Sequence, residues 1–126
     1  MSMNILVVDD SAVMRSMIIR TISLSGLEPG EIYEAENGRE GLNVLNENWV
    51  DLVFIDVNMP VMDGMEMLCE IRQHRETRDL PVLIVSTESN EDRIRLIDEQ
   101  NAEFIHKPFT PEMLRSKILE MLQVLD

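Results

Sequence analysis

Residues 52–64 read LVFIDVNMPVMDG. Leu52, Val53, Phe54 and Ile55 are an unbroken apolar run, short and bounded by turn residues, which predicts a strand buried on both faces. The run ends on a carboxylate, Asp56, and Pro60 and Gly64 then bend the chain away. A strand covered on both sides that delivers an acid to its tip belongs to a parallel sheet whose strand ends carry chemistry.

The flanking sequence supplies the rest of such a sheet. Short apolar runs alternate with helical patterns five times, with no repeat or low-complexity segment between them. NILVVD is the first strand, and a helix follows from Ser11 with Val13, Met14, Met17, Ile18 and Ile22 at helical spacing, closing at Gly26. EIYEAE alternates as a less buried strand near a sheet edge, Asn37-Gly38 reads as a turn, and a short helix directs Leu42 and Leu45 inward. After DLVFID, a helix is predicted over about 65–74, then the strand PVLIVS, a helix over about 91–100, and the strand EFIH. Thr110-Pro111 fits an N-cap and first turn, opening a last helix through Met113, Leu114, Ile118 and Leu122.

This alternation predicts an α/β fold, a doubly wound five-stranded parallel sheet with five helices and right-handed crossovers. The order 2-1-3-4-5 is taken by analogy with flavodoxin-like sheets, in which ligands gather at the carboxyl ends of the first and third strands. Trp49, seven residues before Asp56, is expected roughly 20 Å away at the opposite end of the sheet.

Composition narrows the function classes. The 126 residues fit one domain, 1–126, and 24 acids against 11 Lys and Arg give a net charge of −13. Such a charge repels phosphate backbones and anionic membrane surfaces, so direct nucleic-acid binding is not expected. Cys69 is the one cysteine, which excludes an internal disulfide, and it reads as a small buried hydrophobe. The start lacks a secretory signal and no apolar run reaches membrane-spanning length, so neither export nor membrane insertion is expected and the location is read as cytoplasmic. Five of the ten methionines, Met14, Met17, Met67, Met113 and Met121, sit in helical patterns and are read as core filler.

The predicted strand ends carry a single constellation. The first strand ends in Asp9-Asp10, the third in Asp56, the fourth in Ser86-Thr87, and the fifth runs into Lys107. As an isolated pair, Asp9-Asp10 would equally suit the N-terminal dipole of the first helix. Asp56 from a separate strand favours a hard divalent cation, because crowded carboxylates disfavour one another's ionised form unless a cation neutralises them. Lys107 adds a point charge suited to a phosphoryl oxygen and Ser86 a hydroxyl donor. Asp9, Asp10, Asp56, Ser86, Thr87 and Lys107 include no His or Cys, so the nucleophile is a carboxylate, and the site reads as one for phosphoryl transfer onto Asp56.

VVDDS, FIDVNMPVMDG, PVLIVSTE and HKPFT, in this order and spacing, resemble the receiver domains of bacterial two-component response regulators over essentially the whole chain. The resemblance implies that Asp56 is the phosphoacceptor. It also implies that Asp10, Asp56 and the backbone carbonyl of Asn58 bind Mg²⁺, or Mn²⁺ in its place, with Asp9 acting through water. Ser86 would stand for the switch hydroxyl with Thr87 beside it, Phe104 for the aromatic whose rotamer follows phosphorylation, and Lys107 for the phosphoryl partner. A cis bond before Pro108 is implied, and Asn58 and Glu88 fall where the phosphoryl lifetime is tuned. Partners would be a cognate histidine kinase and a target protein bound at the face of the fourth helix, fifth strand and fifth helix.

Within the family the chain is most similar to the stand-alone chemotaxis regulators, and its end just after the fifth helix fits that reading. Departures are Val57 in place of tryptophan, the acidic SNED at the start of the fourth helix where those regulators carry lysines, and Asn101 in place of glycine. Such a protein is a phosphoacceptor switch rather than an enzyme, acting only on its own phosphorylation and dephosphorylation. A phosphorelay shuttle or phosphate sink, a receiver cut from a larger regulator, and a receiver that binds protein without phosphorylation are the alternatives. An aspartate-nucleophile phosphatase of the dehalogenase type fits less well, since it needs Asp-x-Asp after its first strand. Neither a flavodoxin phosphate loop nor a P-loop is present.

Overall fold

The computed structural model describes residues 3–56, 62–86 and 91–123. Five strands, β1 (Met3–Val8), β2 (Pro29–Ala35), β3 (Leu52–Asp56), β4 (Val82–Ser86) and β5 (Glu103–His106), alternate with α1 (Ala12–Leu24), α2 (Gly38–Glu47), α3 (Gly64–Gln73), α4 (Glu91–Glu99) and α5 (Pro111–Gln123). The strands pair in parallel in the order β2-β1-β3-β4-β5, so the doubly wound sheet expected from the alternation is the one observed.

Period-two alternation divides the apolar runs between two cores. Leu6, Val8, Val53, Ile55, Val82 and Ile84 face one side, packed with Met67, Leu68 and Ile71 of α3 and Ile97 of α4. Ile5, Val7, Phe54, Leu83 and Val85 face the other, with Ile18 and Ile22 of α1 and Leu114 and Ile118 of α5. The pairings Leu6↔Val53↔Val82 and Val8↔Ile55↔Ile84 on one side and Val7↔Phe54↔Leu83 on the other keep each layer in register across the three central strands. Burial of each such side chain contributes about 1.5–3 kcal/mol. A one-residue slip would exchange the layers, and this fixes how far each strand end projects.

Helix ends follow local chemistry. Ser11 Oγ accepts from Met14 N at 3.2 Å and Thr110 Oγ1 from Met113 N at 3.1 Å, capping α1 and α5. Asp63 and Glu66 form a reciprocal capping box on α3. Gly26 after α1 has φ +88, and Asn101 after α4 has φ 58, the left-handed conformation in which Asn is the tolerable substitute for Gly.

Several expectations are corrected. Asn37-Gly38 is not a free-standing turn: the Asn37 side chain accepts from Glu40 N at 3.0 Å and so caps α2, which begins at Gly38. Met67 and Met121 are core residues, but Met17 is 56% and Met113 49% exposed, because the apolar arcs of α1 and α5 are wider than the sheet covers. Cys69 is only half-buried. The side chain of Leu122 lies outside the described residues.

One side chain ties three segments together. Arg72 near the end of α3 donates to Gln100 O at 2.6 Å, Leu80 O at 2.8 Å and Asn101 O at 3.2 Å. The clasp joins the end of α4 to the α3–β4 connection, and burial lowers the pKa of its guanidinium from the usual arginine value. Arg72→Ala strands these carbonyls, so a loss of about 2–3 kcal/mol is expected in urea unfolding. A midpoint unchanged from wild type would show that water replaces the clasp at no cost.

Candidate functional site

The strand ends bring the acids together. Asp9 follows β1, and its amide donates to Ala35 O of β2 at 3.1 Å, which extends the ladder one residue beyond the strand. Its Oδ1 accepts from Ser11 N at 2.9 Å, turning the chain into α1. Asp56 is the last residue of β3, opposite Val85 of β4. One carboxylate oxygen from each of Asp9, Asp10 and Asp56 lies within 4.8 Å of the others. Asp9 is 1% exposed, while Asp10 is open to solvent and Asp56 half-buried.

Lys107 faces this cluster, with Nζ 4.0 Å from Asp56 Oδ1. Its backbone is held by the sheet, since Lys107 N donates to Ser86 O at 2.9 Å at the end of β4. Ser86 is buried and pairs with His106. The Lys107–Pro108 peptide bond is cis. Phe104 of β5 is half-buried against the core on the α4 side, and its ring meets His106 edge-on with centroids 6.1 Å apart. Asn58, Thr87 and Glu88, together with Val57, Ser89 and Asn90, lie outside the described residues.

Two supports of this site are only weakly marked in the sequence. Arg15, one turn into α1, donates from Nη1 to Asp9 O at 2.7 Å and from Nε to Glu34 Oε1 at 2.9 Å, fixing the β1 end against β2. A cation five residues after Asp10 was the available hint. Gly38 donates its amide to Met62 O at 3.1 Å, and a Cβ there would lie 2.9 Å from that oxygen. Only glycine lets α2 approach the chain leaving β3 so closely. His74 and His106 are exposed, His74 3.5 Å from Glu70 on the same helix, and neither belongs to the cluster.

The electrostatics are unbalanced. Burial raises the Asp9 pKa above its ordinary value, and the Asp10 carboxylate adds to this, while the Ser11 amide and Lys107 pull the other way. Asp9 Oδ2 is buried with no hydrogen-bond partner among the described residues. An orphaned carboxylate oxygen beside two more acids is the donor set a hard cation takes.

The family model described as response regulator receiver domain matches residues 5–119. A Chemotaxis protein CheY homolog of Campylobacter jejuni is 35% identical over 122 residues, covering 95% of this chain and 92% of that protein. The Phosphate regulon transcriptional regulatory protein PhoB of Escherichia coli is 32% identical over 98% of the chain, which spans 53% of PhoB. The crystallised chemotaxis protein CheY4 of Vibrio cholerae superposes with a TM-score of 0.84 at 30% identity, covering 96% of this chain and 99% of that one.

An acid with a raised folded pKa binds more protons folded than unfolded between pH 3.8 and that folded value. In chelator-treated protein its contribution is therefore favourable at low pH and is lost as pH rises through this window. Asp9→Asn removes the penalty while keeping an oxygen for Ser11. Metal-free Asp9→Asn is expected to be more stable than wild type at neutral pH by about 1–3 kcal/mol, with the difference shrinking towards pH 4. Urea melts across this range check it; a variant less stable at neutral pH would mean that the Asp9 charge is compensated within the fold.

Proposed function

Because the chain belongs to the response regulator receiver domain family, we propose that it takes a phosphoryl group from a histidine kinase onto Asp56 and signals through phosphorylation-dependent protein binding. Receiver domains are signalling switches rather than classical enzymes, and they generally bind Mg²⁺ at an acidic pocket. The observation that carries the reading is the meeting of Asp56 with Lys107 and the Asp9-Asp10 pair at one sheet edge. The whole chain is read as one receiver domain, supported by the match over 5–119 and by its single sheet.

An Asp56 carboxylate oxygen attacks the donor's phosphorus in line. The new P–O bond forms as the P–N bond to the kinase imidazole breaks, its electron pair leaving on the ring nitrogen. Lys107 is 4.0 Å from Asp56 before reaction and receives the negative charge of the phosphoryl oxygens. Asp10, Asp56 and the Asn58 carbonyl would hold Mg²⁺, or Mn²⁺, with Asp9 acting through water; the orphaned Asp9 oxygen fits this role. The ion supplies charge neutralisation for the transferring group. Arg15, clamping the Asp9 carbonyl, keeps the acids in place.

Ser86, with Thr87 beside it, is drawn to the phosphoryl oxygens, and Phe104 moves into the space vacated. The target then binds at the α4–β5–α5 face. Asn58 and Glu88 tune how long the phosphoryl group persists. The CheY-type relatives support a chemotaxis or motility pathway, and the cytoplasm is the location this reading gives it. No helix among the described residues is long and apolar enough to cross a membrane, and the charge of −13 disfavours nucleic acid as the target. The likeness to PhoB, of which the chain spans 53%, favours a receiver within a longer regulator as the second reading.

Incubation with Mg²⁺ and a small phosphodonor, followed by intact mass, tests the acceptor. Wild type is expected to gain one phosphoryl mass and Asp56→Asn none, since the amide is not a competent nucleophile. A variant that is phosphorylated at the wild-type rate would overturn the assignment. Lys107→Ala is expected to keep Mg²⁺ binding within about threefold while losing most of the chemical-shift response of β5 and α5 to phosphorylation, because an ammonium at this place supports the bound group and not the ion. Loss of Mg²⁺ affinity as large as in Asp10→Asn would contradict this division of roles.

A further inference from the structure

The opposite edge of the sheet holds a groove of about 800 Å³ at the amino ends of β1, β3 and β4. It plays no part in the chemistry at Asp56. Met3, Leu27, Leu45, Val50, Leu80 and Pro81 give it an apolar lining, and Trp49 stands at its side 77% exposed. An indole left in water is unfavourable, and tryptophan is the side chain most often found anchoring protein interfaces.

The groove is preformed. Trp49 Nε1 donates to Asp51 Oδ1 at 2.9 Å, Asn4 Nδ2 donates to Trp49 O at 3.0 Å, and Asn4 N donates to Asp51 Oδ2 at 2.9 Å. The other wall, the α3–β4 connection, is held by the Arg72 bond to Leu80 O and by Thr77 Oγ1 donating to Ile71 O at 2.7 Å. Neither wall has to become ordered on binding, which removes a large part of the usual entropic cost.

The rim selects the occupant. Among the described residues, Glu28, Glu76 and Asp79 surround the apolar lining against one cation, Arg75, and Glu28 and Glu76 form no ion pair. Asp79 is within electrostatic reach of Arg72, and both Asp51 oxygens already accept N–H donors. An apolar lining, an indole held at its edge and uncompensated carboxylates around it complement a chain with apolar side chains flanked by cations. We propose that this groove docks a short basic segment of a partner protein, one or two apolar side chains entering beside Trp49 while Arg or Lys residues pair with Glu28 and Glu76. Such a segment would hold a partner on the receiver while leaving the Asp56 edge and the α4–β5–α5 face open.

Trp49 is the single tryptophan, so its emission reports the groove directly. The probe is a capped tetrapeptide with two leucines between two arginines. The comparators are the same peptide with glycines for leucines and with glutamates for arginines. Expected are a saturable change in emission, amide shifts confined to the segments around Met3, Leu27, Trp49 and Leu80, and at least about tenfold weaker binding of both comparators. Trp49→Ala, read by amide shifts, and the surface pair Glu28→Gln with Glu76→Gln should each weaken binding about tenfold. The glutamine pair keeps the test decisive if the alanine variant does not fold. Equal binding of the arginine–glycine peptide would reduce the effect to general attraction by an acidic protein and overturn the proposal, as would shifts centred on Asp9 and Asp56. Concentration-dependent self-association lost in Trp49→Ala would overturn it in favour of a second copy of this chain.

Discussion

Three carboxylates from two strands converge within 4.8 Å, and most of the architecture around them opposes their repulsion. The acids sit where they do because Leu6↔Val53 and Val8↔Ile55 lock β1 and β3 in register inside a fully buried layer. Separating the acids by sliding either strand would turn its apolar side chains to the wrong core. Hydrophobic register thus holds an arrangement that electrostatics alone would disperse. The Arg15 bond to the Asp9 carbonyl and the Ser11 amide on Asp9 Oδ1 strengthen that hold locally. The remaining imbalance is concentrated on Asp9 Oδ2, which has no hydrogen-bond partner among the described residues.

What could be read from the sequence was what depends on local pattern. Unbroken runs such as LVFI and VLIV announce strands covered on both sides, Thr110-Pro111 announces a helix start, and an acid at each of two strand tips announces a site. These are signals within a few residues, and the fold preserves them. Residues whose role depends on distant segments were not legible. Arg72 reaches carbonyls of Gln100 and Asn101 across the molecule, and nothing in MEMLCEIR marks it as a clasp. Gly38 looked like a turn glycine because Asn-Gly usually makes one, whereas its use is to let Met62 approach. Met17 and Met113 share the helical spacing of their buried neighbours, and spacing alone does not say how wide a face the sheet will cover. The groove beside Trp49 is assembled from segments far apart in the chain and has no linear signature at all.

The two edges of the sheet are built on different principles. At the carboxyl edge, charged groups from β1, β3 and the chain after β5 are gathered with Lys107 as the neighbouring cation. At the amino edge, the acids stand around an apolar lining, and the polar groups of Asn4 and Asp51 are turned to fixing the backbone. Chemistry and docking can then be separated by the length of the strands, with the same buried layers supporting both.

Phe104 and Ile105 are consecutive residues of β5, yet they pack into different cores, the first with the α3–α4 layer and the second with the α1–α5 layer. A displacement of the Phe104 ring therefore disturbs one layer and leaves the other standing. β5 is an edge strand bonded to β4 alone, so each of its two rows of side chains meets a different layer of helices. The α4 side of β5 is the half-buried one, held by the Phe104 ring, whereas the α5 side is closed by the buried Ile105.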